Sequence, residues 1–123
     1  MNRPRALALI AILVCLGCRE EYDAERDATL KSNLTQMRQA IASFRKDHGR
    51  HPHSLDELVP NYLRRIPADP ITGANTWRPV TEDTVQVSSD FTTVTAAATR
   101  PVVIDVQSTA PGADRNGVLY SNY

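Results

Sequence analysis

Between Glu20 and His48 the chain has neither glycine nor proline, and Leu30, Leu34, Met37, Ile41 and Phe44 recur along it at alternating steps of four and three. A backbone free of breakers with apolar residues at that spacing predicts a helix carrying one apolar stripe. Charge is sorted along the same stretch: Glu20, Glu21, Asp23, Glu25 and Asp27 crowd its start, and Arg45, Lys46 and His48 stand at its end before Gly49. Acids at the positive end of a helix dipole and cations at the negative end both favour the helix, and glycine suits the left-handed residue that closes it. The turns up to about Ala28 lack the stripe. They are expected to project as a polar stalk over residues 18–29, with firm packing from Leu30 onward. The same spacing is the a/d pattern of a coiled coil, but it lasts about two heptads, short of the three or four that sustain one. Packing of the stripe on the chain's own sheet is therefore the expectation.

Ahead of this helix, Arg3 and Arg5 precede an apolar run from Ala6 to Leu16 that ends in Cys15-Leu16-Gly17-Cys18. A bilayer core needs roughly 20 apolar residues to be crossed as a helix, so this run reads as the cleaved core of a signal peptide. A small residue followed by cysteine is the order of a bacterial lipoprotein signal, in which the Cys18 thiol becomes a thioether to diacylglycerol. Cys15 stands where that signal usually has leucine, and an ordinary signal peptide cut near Gly17, or an uncleaved short anchor, remains open. Residues 1–17 are thus expected to be a signal peptide and Cys18 a lipid anchor. Both cysteines lie in or beside the leader, so none is left to cross-link the folded part.

Downstream, Ser54-Leu55-Asp56-Glu57 has the form of a capping box, which predicts a short second helix with Leu55, Leu58 and Val59 as its apolar face and Pro60 as its stop. The prolines at 67 and 70 force extended backbone, and Thr72-Gly73 signals a turn, so residues 61–73 should form a braced loop. Thr76 to Thr81, Thr84 to Ser88 and Val102 to Gln107 read as strands, with Glu82-Asp83 as a tight turn and Val102-Val103-Ile104 central. Phe91 to Thr99 reads as a strand edge plus loop. Pro111-Gly112 and Asn116-Gly117 should turn the tail twice on the surface. Helix first and a small antiparallel sheet second gives an α+β domain over residues 30–123.

With 14 basic and 14 acidic residues the chain is formally neutral, and loss of Arg3 and Arg5 would leave the remainder slightly acidic. That balance offers no basic face for nucleic acid. There is no G-x-S-x-G, no Cys–His pair within residues 30–123 and no glycine-rich phosphate loop, so an enzyme is not expected.

Leu30-Lys31-Ser32-Asn33-Leu34, Met37-Arg38-Gln39-Ala40-Ile41, Asp47-His48-Gly49-Arg50 with Pro52, Ser54-Leu55-Asp56-Glu57-Leu58-Val59, the run from Tyr62 to Gly73, and Trp77 resemble the body of the pilin-like proteins of type II secretion. The resemblance is to the major (G-type) pseudopilins. The run Ile104-Asp105-Val106-Gln107-Ser108, then Pro111-Gly112, Gly117 and Tyr120-Ser121, is similar to the tail of many of them. The departure is at the amino end, where the Gly-Phe-Thr-Leu-Ile-Glu-like processing site and the long apolar half-helix of such proteins are missing, and with them the segment that fills a filament core.

The resemblance implies a pilin-like head that meets other pseudopilins or secretion-machine components, held by its lipid to a membrane of the bacterial cell envelope and facing the periplasm. A stand-alone lipoprotein that uses the fold to bind a ligand or metal is the alternative, as is an atypical pseudopilin that keeps its apolar segment. G-type members often bind calcium in the tail, which would fall here on Ser108, Asp114 and Asn116; a plain Asn-Gly turn accounts for the same residues, because Ca²⁺ wants six to eight oxygens. His48, His51 and His53 invite a transition-metal reading, against which stands a helix-capping His48, a His51 packed in place of the family's tyrosine, and an exposed His53. Tyr62, Ile66, Ile71 and Trp77 are expected to staple the braced loop to the helix, and Arg64 and Arg65 to offer a polar contact surface.

Overall fold

The computed structural model describes the backbone of residues 3–84 and 100–123, and side chains over residues 21–83 and 100–123. The chain is α+β: one long helix, α1 (Arg3–His48), and a two-stranded antiparallel sheet of β1 (Trp77–Thr84) and β2 (Arg100–Ser108). Short 3-10 turns at Leu55–Leu58 and Tyr120–Asn122 complete it. Among the described residues no helix is long and apolar enough to cross a membrane.

The stripe behaves as its spacing requires. Leu30, Leu34, Met37, Ile41 and Phe44 are all buried, and they pack within the chain. Leu30, Leu34 and Met37 meet Trp77 and Val106, while Ala40, Ile41 and Phe44 meet Leu58 and Val103. Gly49 adopts a φ of +68°, the left-handed conformation that ends α1, and its N–H returns to the Arg45 carbonyl at 2.9 Å.

Three expectations are corrected. The packed part of α1 begins before Leu30: Asp27 is buried, and Arg26 donates to the carbonyls of Pro70 at 3.0 Å and Ile71 at 2.8 Å. A stripe search sees only apolar residues, whereas this turn is fastened by charge and hydrogen bonds. Glu82-Asp83 is not a tight turn, because β1 runs through both, paired with Val102 and Pro101. A partner strand supplying backbone bonds outweighs the weak intrinsic preference of acids against strands. Third, Leu55–Leu58 is a 3-10 helix, and Ser54 makes no side-chain cap bond. Glu57 instead supplies the cap alone, accepting from the His53 N–H at 3.0 Å.

The expected strand over residues 84–88 and the edge at 91–99 lie, beyond Thr84, outside the described residues. The register between the strands shifts at Val80 and Thr81 of β1, which pair with Asp105 and Val103 respectively, so Ile104 of β2 has no opposite number. Such a bulge resets the inside–outside alternation. Val102, Val103 and Val106 are consequently buried, while Ile104, read as central from its apolar neighbours, is 37% exposed.

Candidate functional site

A network of hydrogen bonds forms where the polar start of α1, the braced loop and the tail converge. Asp69 is fully buried and organises the loop. One of its oxygens accepts from the N–H of Ile71 at 2.8 Å and of Thr72 at 3.4 Å, and the other accepts from the Ser108 hydroxyl at the end of β2. Ser108 Oγ in turn accepts from the Ala110 N–H at 3.0 Å. Two residues before Asp69, the Pro67 carbonyl takes the Trp77 indole N–H at 2.8 Å. Ile66 and Ile71 pack against the cluster that holds Trp77, and Tyr62 against the one that holds Phe44. The loop is thus tied to helix and sheet by the four residues expected to do so, with Asp69 and Ser108 as ties that apolar patterning did not reveal.

The tail closes over the same end. Asp114 is buried and accepts from the N–H of Asn116 at 2.8 Å and of Val118 at 2.9 Å, from the Asn116 amide at 3.4 Å, and from the Tyr123 hydroxyl. The Tyr123 hydroxyl and these amides hold its carboxyl below the usual aspartate value despite the opposing effect of burial. Gly117, at φ +79°, lets the turn between Asp114 and Val118 close. Tyr120 donates to Asp27, and the Lys31 ammonium lies 4.7 Å from the centre of the Tyr123 ring.

Of the residues proposed for calcium, Asp114 and Asn116 are therefore together, while Ser108 bonds to Asp69. The Asp114 oxygens already accept from the turn they close. Among the described residues no three His, Cys, Asp or Glu side chains gather as a metal site. The histidines go separate ways: His48 stacks on Phe44 with ring centres 4.1 Å apart and its Nδ1 lies 3.1 Å from the Phe44 carbonyl. His53, half-buried, has its Nδ1 3.1 Å from the Pro101 carbonyl, and His51 is half-buried with its Nδ1 unpartnered among the described residues.

Arg64 and Arg65 are exposed along an open groove of about 780 Å³ between α1 and the braced loop, whose opposite side carries Asn33 and Gln36. Tyr62, whose hydroxyl donates to Asp47 at 2.8 Å, is pushed above the usual tyrosine value by burial and by that carboxylate. It is no activated base. Cys18 and the leader precede the described side chains, which begin at Glu21.

No family model, curated protein or solved structure matches the chain.

Proposed function

We propose that this protein is a lipid-anchored, pseudopilin-like structural protein that works through protein contacts in type II secretion or a related pilus-like machine. The observation that carries the reading is the long helix laid on a small antiparallel sheet, with the proline-braced loop tied to both through Asp69 and Trp77. That arrangement accords with the residue runs through which the sequence resembles the G-type pseudopilins. The bonded residues around the loop close it upon itself, leaving exposed surface as the working part, which suits a protein that acts by docking.

In this reading Cys18 carries the lipid, and the polar turns of α1 that follow it hold the head off the membrane facing the periplasm. A head so tethered contributes contacts to the machine without contributing an apolar half-helix to a filament core.

Intact mass of the protein extracted from membranes tests the tether. A diacylated or triacylated chain beginning at Cys18 is expected, and a chain still carrying Met1 would exclude it. Affinity capture from native membranes tests the machine: secretion or pilus components should be recovered, and their consistent absence would favour a stand-alone lipoprotein.

A further inference from the structure

The exposed surface of α1 carries two patches of opposite charge. Near its start Glu21 and Glu25, one turn apart, are exposed, and their carboxylates have no bonding partner among the described residues. Between them in sequence Tyr22 is 60% exposed, with the Arg26 guanidinium 5.4 Å from its ring centre. Toward the other end Arg45 and Lys46 are exposed, their charged groups again without a bonding partner among the described residues, and border a groove of about 470 Å³.

Ile41, Ala42 and Ile104 give that groove an apolar lining, Ile104 because the bulge in β2 turns it outward. Asp105, next to Ile104 in β2, takes the Arg38 guanidinium at 2.7 Å, and Asp47, next to Lys46 in α1, accepts from the Tyr62 hydroxyl. Arg45 and Lys46 thus give the groove positive charge that no ion pair among the described residues takes up.

The two patches cannot meet within one molecule. From residue 23 to residue 45 a helix rises about 33 Å, and α1 is continuous over that span. What the groove lacks, a helical turn bearing two exposed carboxylates and one exposed aromatic ring, is present on the surface of another copy. We infer that the Glu21–Glu25 turn of one copy docks in the groove of the next, the carboxylates meeting Arg45 and Lys46 and the Tyr22 ring covering Ile104 and Ile41.

The two surfaces are different, so the contact is heterologous and can repeat from copy to copy. It uses only the polar half of α1 and does not depend on the tether or on the proposed role in secretion. Exposed charge pairs are individually weak and screened by salt, so the association is concentration-dependent and salt-sensitive.

Sedimentation velocity on the full chain in a mild nonionic detergent tests this. The wild type should associate as concentration rises, and an increase from about 50 mM to about 500 mM NaCl should weaken that association roughly tenfold. Glu21→Lys with Glu25→Lys, or Arg45→Glu with Lys46→Glu, should each give a monomer. Mixing the two variants should restore association, because the intact turn of one meets the intact groove of the other and the two reversed patches also attract. Should a reversal spoil the helix by circular dichroism, Glu21→Gln with Glu25→Gln and Arg45→Gln with Lys46→Gln replace it. A wild type that stays monomeric, association unmoved by these changes, or a mixture that does not pair would each overturn the contact.

Discussion

The Tyr120 hydroxyl donates to Asp27 at 3.0 Å, joining two residues 93 positions apart and setting the tail against the first buried turn of the long helix. Asp27 would otherwise be a buried carboxylate without a partner among the described side chains. Removal of the hydroxyl therefore costs more than one hydrogen bond between exposed groups.

Tyr120→Phe is expected to destabilise the fold by about 1–2 kcal/mol, and Asp27→Ala by a similar amount. The double variant should lose less than the sum, since the second change removes a group already orphaned. Urea unfolding followed through Trp77, the only tryptophan, measures all three. Strict additivity would show that the pair does not act together.

Stability should fall steeply in alkali. Tyr62 and Tyr120 are pushed above the ordinary value of 10.0 by burial together with Asp47 and Asp27 respectively, and Tyr123 by its bond to Asp114 together with burial. A group whose value is raised on folding stabilises fully below its unfolded value, and that stabilisation is lost as pH rises through the folded one. The decline thus begins near pH 10. Urea midpoints across that range should fall less steeply for Tyr120→Phe with Tyr123→Phe, and equal slopes would contradict the assignment.

Asp114 sets an acid limb and a calcium response. Its lowered value means that its contribution is present above the ordinary 3.8 and is lost as pH falls through the folded value, so Asp114→Asn should flatten stability below about pH 4. Because Asp114 is occupied by its own turn and Ser108 by Asp69, millimolar Ca²⁺ is expected to leave the melting temperature unchanged. A clear rise would reveal binding to the folded state.

Asp69→Ala should be the most damaging polar substitution in the braced loop, at about 3 kcal/mol, because it strips partners from two backbone amides and from a buried hydroxyl. Asp69→Asn keeps one acceptor oxygen and should cost less. Equal losses would mean that charge, not hydrogen-bond geometry, holds the loop.

Apolar periodicity made the α1 stripe legible from Leu30 to Phe44, and Pro-Gly and Asn-Gly pairs marked the tail turns at Gly112 and Gly117. What escaped was polar or dependent on register. Arg26 and Asp27 are fastened by loop carbonyls and a tyrosine brought from distant sequence, which no local pattern encodes. Glu82-Asp83 has the letters of a turn and becomes strand because β2 lies beside it. Ile104 belongs to an apolar triplet and faces outward because a one-residue bulge inverts its side. Of the residues around the braced loop, Tyr62, Ile66, Ile71 and Trp77 were legible as packing side chains, whereas the Asp69–Ser108 tie required two polar residues 39 positions apart to be recognised as neighbours.

The first part of the stripe on α1 finds its buried partners only much later in the chain. Leu30, Leu34 and Met37 wait for Trp77 and Val106, and Asp27 waits for Tyr120. Contacts of such separation form slowly, since a long loop must close before any is made. During synthesis Leu30, Leu34 and Met37 are therefore bare until Trp77 and Val106 have followed them out of the ribosome. Under the lipoprotein reading proposed above, a chain exported unfolded would gain from that delay.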